Sequence, residues 1–175
     1  MVVLLRRIAW AITIGLVAAC GGDGPADPGD DPLDPGGGGT GTGPMRATIN
    51  GVAWVAPASN VQSFYIASSN TYGLVGADLT GNVGSRALLL NLQAITGPGT
   101  YALGSTNPLR YANTSSGTGV WETLGSGASG SVTVTIATPT RIVGTFFFTA
   151  VPTASNPATN TVSVTNGVFD VTITP

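Results

Sequence analysis

From residue 45 onward, apolar and hydroxyl-bearing side chains alternate along the chain with a period of two. In segment 131–136, SVTVTI, the valines and the isoleucine take one set of alternate positions and the serine and threonines take the other. Successive side chains of a β-strand point to opposite faces, so this pattern predicts a strand with one buried face. Segment 141–151, RIVGTFFFTAV, is more continuously apolar and predicts a longer strand, buried on both faces around Phe146, Phe147 and Phe148.

Turn signals divide the rest of this region into short apolar segments. Asn50-Gly51 lies between two of them, 45–49 and 52–56, and predicts a two-residue hairpin turn. Segment 86–94 has some helix propensity, but the glycines around it favour a strand. Further strands are predicted at 64–68, 72–79, 100–103, 109–112, 120–123, 161–165 and 168–173.

Many short strands separated by turns are typical of an all-β domain. We therefore predict one domain over residues 45–175, folded as an antiparallel β-sandwich or a partly open barrel. Its last strands, from about residue 130 onward, are expected to form an antiparallel meander. A second Asn-Gly pair, Asn166-Gly167, is interpreted as another turn.

Residues 1–19 have the layout of a secretory signal. Arg6 and Arg7 precede an uncharged apolar stretch that closes on Ala18 and Ala19. A membrane-spanning helix needs roughly 20 apolar residues, and this stretch is about half that length. We therefore expect an export signal and not a permanent span.

The single cysteine of the chain, Cys20, follows this signal directly. Residues 17–20, Val-Ala-Ala-Cys, resemble the bacterial lipobox, in which the cysteine sulfur is diacylated before the signal is cleaved. The alternative is a chance cysteine beside an ordinary cleavage site. Two or more acyl chains anchor a protein durably, so the resemblance implies that Cys20 is a lipidation site. Gly21 follows, where an aspartate would indicate retention in the inner membrane, and this favours the outer membrane.

Residues 20–44 consist, after Cys20, almost entirely of glycine, proline, aspartate and threonine. Such a segment buries too little apolar surface to offset the cost of ordering, so we expect a disordered linker between the membrane and the domain. Its aspartates lack the spacing of a known calcium loop.

Several motifs of the domain occur in a recognisable order: ATINGVAW, GTYAL, GSVTVTI, IVGTFFFTAV and NGVFDVTI. This order resembles an uncharacterised family of small bacterial lipoproteins, which share a lipobox, a short linker and one all-β domain. The resemblance covers residues 45–175 and is strongest from Gly130 onward. It implies no known activity and no catalytic residue, and the chain departs from the usual pattern in having no lysine.

The composition excludes several classes of chemistry. The chain has no histidine, and all of its basic residues are arginines. A serine nucleophile needs a positioned base, and zinc sites need histidine or cysteine ligands. We therefore predict no enzyme of these types and no cofactor. Arg46, Arg86, Arg110 and Arg141 nearly balance the carboxylates of the domain, which leaves no basic surface for nucleic acid.

The carboxylates of the domain are Asp78, Glu122 and Asp170. Two of them could serve a glycoside hydrolase if they converged in a cleft, and one could bind calcium with backbone carbonyls. A surface position beside an arginine is the favoured interpretation for each. Asp170 alternates with Phe169 and Val171 and is expected to point to solvent.

Aromatic residues are the last candidates for a site. Most are expected in the strand core, but Tyr111 and Trp121 flank a predicted loop, ANTSSGTGV, and are expected to be exposed as the ligand-binding residues. Three hypotheses follow. The first is a lipid-anchored, non-catalytic domain that binds or scaffolds a protein or glycan partner; the second is a carbohydrate-recognition module; the third is a small carboxylate-based hydrolase.

Overall fold

The computed structural model describes residues 43–79, 85–113, 119–156 and 158–173. Within these residues the chain forms eleven β-strands and two short 3-10 turns, Ala58–Asn60 and Ala67–Ser69. The strands are β1 (Met45–Ile49), β2 (Val52–Ala56), β3 (Val61–Ile66), β4 (Thr71–Asp78), β5 (Arg86–Leu92), β6 (Gly99–Ala102), β7 (Leu109–Asn113), β8 (Gly119–Glu122), β9 (Ser129–Thr138), β10 (Arg141–Pro152) and β11 (Val162–Thr172). The all-β prediction is confirmed, and segment 86–94 forms a strand from Arg86 to Leu92 and not a helix.

All strand pairs are antiparallel, and together they form one nearly closed, barrel-like sheet. The main path runs β2-β1-β11-β10-β8-β7-β5-β4-β3. β10 is long enough to pair with two strands on the same side: with β9 from Arg141 to Thr149, and with β8 at Val151 and Pro152. β6 extends β9. The predicted meander of the last strands, β9-β10-β11, is confirmed.

Local sequence explains the turn between β1 and β2. Asn50 and Gly51 both have positive φ, 48° and 80°, and Ile49 pairs directly with Val52. Two residues with positive φ are what a type I′ hairpin turn requires. The Asn50-Gly51 prediction is confirmed.

The second Asn-Gly pair is not a turn, so that interpretation is wrong. Asn166 and Gly167 lie inside β11, which is one continuous strand where two segments were predicted. The register slips there on both sides: Thr165 and Val168 face residues only two apart on β1, and the pairing with β10 shifts between Phe146 and Phe148. Asn166 takes φ 52°, so the pair forms a β-bulge that bends the strand.

The core lies inside the curved sheet and follows the two-residue alternation. In β5, for example, Leu88, Leu90 and Leu92 are fully buried, and the residues between them are partly exposed. β10 follows the same rule, so the prediction that it is buried on both faces is wrong. Phe146 and Phe148 point into the core, whereas Phe147 is 57% exposed. One sheet wraps around one core, and among the described residues no second layer covers its outer face.

The outer face differs in chemistry between two regions. We call β3, β4, β5, β7 and β8 the apolar half-sheet, because its outward positions are mostly apolar: Phe64, Ile66, Val75, Ala77, Ala87, Leu89, Ala112 and Val120. We call β6, β9, β10 and β11 the hydroxyl half-sheet, whose outward positions include Thr100, Ser131, Thr133, Thr145, Thr149, Ser163 and Thr165. Among the described residues, no helix is long and apolar enough to cross a membrane.

Candidate functional site

Tyr111 and Trp121 are buried, so the expectation that they are exposed is wrong. Tyr111 is 3% exposed and Trp121 is 6% exposed. They pair directly across β7 and β8, both pointing inward, with ring centroids 5.6 Å apart. The Trp121 indole N–H donates to the Asn160 carbonyl at 2.8 Å. A ligand could reach these rings only if the sheet opened, so their burial does not favour a binding role.

The burial of Tyr111 has an electrostatic consequence. Desolvation raises the pKa of its phenol above the ordinary value, although nearby Arg86 and a hydrogen bond with Asn113 act in the opposite direction. The sequence contains a signal that Tyr111 is buried, although the neighbouring predicted loop suggested exposure. Leu109 is apolar and lies two residues before Tyr111, so the alternation already places both on the inner face.

Each carboxylate of the domain forms an ion pair with an arginine. Glu122 pairs with Arg110 across β8 and β7 at 3.3 Å. Asp170 and Arg141 form a bidentate pair across β11 and β10, with distances of 2.9 and 2.7 Å. Asp170 is about half exposed, as predicted, and the pair raises the pKa of the Arg141 guanidinium.

The third pair, Asp78 and Arg86, is buried and not on the surface as was favoured. The two side chains are only 8% and 7% exposed, and Arg86 Nη2 lies 2.7 Å from Asp78 Oδ2. Arg86 also donates to the Ala53 carbonyl at 2.9 Å, and its own carbonyl accepts from the Trp54 indole. These contacts tie β2 to β4 and β5. A buried pair of this kind is destabilised strongly when one partner is removed.

The three ion pairs lie at three separate places in the sheet. Among the described residues, no group of three or more histidine, cysteine, aspartate or glutamate side chains could hold a metal ion. The pairs lie on different strands, β4–β5, β7–β8 and β10–β11, and one faces the core while two face outward. The geometry of the described residues therefore gives no support to a two-carboxylate cleft.

A groove opens at the seam where the barrel-like sheet fails to close. It has a volume of about 420 Å³, is about half open to solvent, and its lining carries no charge. It lies between β3 and the end of β11, and the Ser63 hydroxyl donates to the Thr172 carbonyl across it at 3.0 Å. The lining residues are Pro44, Ala58, Val61, Gln62, Ser63, Val171 and Thr172.

Two exposed phenylalanines mark the outer face, and sequence reasoning missed both as surface features. Phe64 on β3 is 48% exposed and packs across Gly73 of β4. Phe147 on β10 is 57% exposed, and Ser131 of β9 lies directly opposite it. The signal for Phe147 was available: Thr145 and Thr149 share its alternate positions, and threonines at those positions indicate an outward face.

Several predictions fall outside the described residues. They are the signal over residues 1–19, the lipidation of Cys20, almost all of the linker, and the loop tip at 114–118. The last two linker residues are described: Gly43 and Pro44 precede β1, and the Pro44 carbonyl accepts the Asp170 N–H at 2.8 Å. The ordered hydrogen bonding of the domain therefore begins slightly before residue 45.

Comparison with known proteins gives one result. No match was found among curated proteins or among solved structures. The family model described as "Domain of unknown function (DUF6252)" matches residues 42–171, which includes every strand from β1 to β10 and nearly all of β11. The expectation of an uncharacterised family is confirmed at this level. The chain belongs to the DUF6252 family of domains of unknown function.

Proposed function

We propose that the protein is a lipid-anchored lipoprotein of the bacterial envelope whose β-domain binds or scaffolds a partner without catalysis. The observation that carries the binding role is the distribution of side chains on the sheet. The ionisable carboxylates are engaged in ion pairs with arginines, whereas large apolar side chains such as Phe64, Ile66 and Phe147 are exposed. Exposed apolar side chains are therefore available on the surface for contact with a partner.

The anchoring role rests on the order of features before the domain. A charged start, a short apolar stretch and the small residues before Cys20 occur in the sequence that lipidation requires. The outer-membrane preference rests on Gly21. The chain between Cys20 and Gly43 could span up to roughly 80 Å when extended, which would let the domain reach a partner away from the bilayer.

Mass spectrometry of the mature protein tests the anchor. We expect a chain beginning at Cys20 whose mass includes a diacylglyceryl group on sulfur. Cys20→Ser is expected to move the protein from the membrane fraction to the soluble or unprocessed fraction, with Ser59→Ala as a matched control that leaves the fractionation unchanged. A mature chain with a free thiol, or one that begins elsewhere, would contradict the anchor.

A second candidate, carbohydrate recognition, is favoured by one observation on the hydroxyl half-sheet. Phe147 presents an exposed ring among hydroxyl side chains from two strands, with Ser131 of β9 opposite and Thr145 and Thr149 of β10 two residues away on the same face. Stacking on a ring combined with hydroxyl hydrogen bonds suits a neutral sugar. This surface replaces Tyr111 and Trp121 as the place to test the carbohydrate hypothesis.

Sedimentation of the purified protein with insoluble envelope glycan tests this second candidate. Phe147→Ala is expected to reduce the bound fraction several-fold, because the stacking face is lost. Phe64→Ala, which removes an equally large exposed ring from the other half-sheet, is the matched control and should bind as the unmodified protein does. Equal binding by all three proteins, or no binding by any, would rule out this role for Phe147.

A further inference from the structure

The chain leaves the domain toward Cys20 beside β3. Pro44, just before β1, lines the groove between β3 and the end of β11, together with Val61 and Ser63 of β3. Residues 21–42 connect this point to Cys20, and a glycine-rich coil of that length averages about 25–30 Å between its ends. A lipid on Cys20 would therefore keep the part of the domain around β3 close to the bilayer.

Next to this exit point, the outer face of the sheet exposes two large apolar side chains of β3. Phe64 is 48% exposed and Ile66 is 45% exposed. They are two residues apart on one strand, so they point to the same face. The Phe64 ring lies over Gly73 of β4, which places it on the face of the sheet and not at its edge. Val75 of β4 and Leu89 of β5, which are directly opposite each other, continue the apolar surface.

This part of the outer face carries no charge among the described residues. The outward side chains of β3, β4 and β5 are uncharged. Asp78 and Arg86 belong to these strands, but they are buried against each other. The nearest outward charge is Arg110 of β7, which lies opposite Leu89 and pairs with Glu122. The outer face of β3 and β4 can therefore move against apolar material without desolvating a charge.

The other exposed phenylalanine lies in different surroundings. Phe147 has Ser131 opposite it and Thr145 two residues away on the same face. The Arg141–Asp170 pair of the same half-sheet is about half exposed. Hydroxyl and charged groups lose their hydration in an apolar medium, and this costs free energy unless they find new partners there. The hydroxyl half-sheet is therefore unsuited to contact with hydrocarbon, although it exposes a ring of the same size.

We propose that the apolar half-sheet docks on the lipid bilayer, with the Phe64 and Ile66 side chains inserted at the boundary between headgroups and acyl chains. The docking rests on the proposed lipid anchor at Cys20. A bilayer requires no complementary shape, so a few exposed apolar side chains on an uncharged surface are enough for a weak contact. The anchor makes this contact effective, because it holds the domain near the bilayer at a concentration on the order of millimolar. A protein partner or a second copy would need a larger surface of matching shape.

Quenching of a fluorescent label by lipid tests the docking in the mature protein, reconstituted in phosphatidylcholine vesicles. Because acylation occupies the Cys20 sulfur, Phe64→Cys supplies one free thiol for the label, and Phe147→Cys is the matched control. A nitroxide on the acyl chains is expected to quench the label at position 64 several-fold more than the label at position 147. Added salt or anionic lipid should not change this result, since no charge takes part.

A charged variant gives a second measurement. Ile66→Glu, added to the protein labelled at position 64, should remove most of the quenching, because its carboxylate would lose hydration in the bilayer. Thr149→Glu on the hydroxyl half-sheet is the control and should leave the quenching unchanged. The comparison of positions 64 and 147 stands without these variants if Ile66→Glu alters folding.

Four results would overturn the docking. They are equal quenching at positions 64 and 147, quenching that requires anionic lipid, quenching unaffected by Ile66→Glu in a folded protein, and a label at position 64 that is shielded from water but not quenched by lipid. The last result would assign this face to a protein partner or a second copy. Mass spectrometry of the same samples separates the two proposals. A free thiol at Cys20 would contradict the anchor and the docking with it, whereas an acylated protein without quenching at position 64 would contradict the docking alone.

Discussion

The two half-sheets have inner faces of similar apolar composition, but their outer faces differ in composition. Inside, both supply alternating leucine, valine and aromatic side chains to one core. Outside, the apolar half-sheet offers Val75, Ala77 and Leu89, and the hydroxyl half-sheet offers Thr133, Thr145 and Thr149. The need for a buried core explains the inner pattern in both cases. It places no demand on the outer pattern, so the outer difference is where function is to be sought.

The half-sheets also use ion pairs differently. The apolar half-sheet buries Asp78 with Arg86, whereas the hydroxyl half-sheet displays Asp170 with Arg141, both side chains about half exposed. The distances are the same, 2.7 Å. The surroundings differ, because solvent screens the exposed pair and not the buried one.

Removing one partner from each pair is the strongest test of that difference. Asp78→Ala leaves the Arg86 guanidinium buried without its carboxylate, and we expect a loss of about 3–5 kcal/mol in the free energy of unfolding. Asp170→Ala should have a much smaller effect because water replaces the lost partner. Chemical denaturation of both variants measures this, and the double variant Asp78→Leu/Arg86→Met should recover much of the loss. Equal effects of Asp78→Ala and Asp170→Ala would remove the distinction.

Glycines in the two half-sheets give the next largest effect. A methyl group on Gly144 of β10 would collide with the Thr133 backbone carbonyl and approach the Phe169 ring to 2.6 Å. We expect Gly144→Ala to cost about 1–3 kcal/mol, since backbone cannot move aside. For Gly73→Ala in the apolar half-sheet, the three atoms nearest to the new methyl group all belong to the exposed Phe64 ring, which can rotate away. Melting temperatures should therefore rank Gly144→Ala well below Gly73→Ala, and the reverse ranking would contradict the close backbone approach at β10.

Alkaline pH should destabilise the domain through two tyrosines of the apolar half-sheet. Burial raises the pKa of Tyr111, and burial together with Tyr65 raises the pKa of Tyr72. The unfolded phenols ionise at about pH 10, so stability is fully present below that pH and is lost as pH rises toward the higher folded values. The Tyr72→Phe/Tyr111→Phe variant should show a shallower fall between pH 9 and 11 in denaturation titrations, with Tyr101→Phe as the control. An unchanged slope would show that these phenols do not carry the effect.

The smallest effect on stability is expected at the two exposed phenylalanines. Phe64→Ala and Phe147→Ala should each change the free energy of unfolding by about 0.5 kcal/mol or less, as surface substitutions generally do. Their effects on glycan binding should differ, with a loss for Phe147→Ala and no change for Phe64→Ala. Large destabilisation by either variant would show that its ring supports the fold, and a change in binding by that variant could then not be assigned to the ring alone.

Period and turn chemistry predicted much of the fold because both act locally. The hairpin at Asn50-Gly51 and the strands at 45–49 and 52–56 were located correctly. The failures have two physical causes. Phe147 and Trp121 were assigned to the wrong environment because hydrophobicity alone does not state which face a side chain occupies, and Asn166-Gly167 formed a bulge because the same positive φ serves a turn or a bulge.

The sequence by itself determined that this is an all-β domain with one apolar face per strand and no histidine-dependent chemistry, because alternation and composition are properties of the chain alone. Only the tertiary structure decided that Asp78 is buried with Arg86 and that the sheet leaves a groove between β3 and the end of β11. These features depend on which strands become neighbours. That choice is made by long-range packing across the whole core, and no short segment of the chain encodes it.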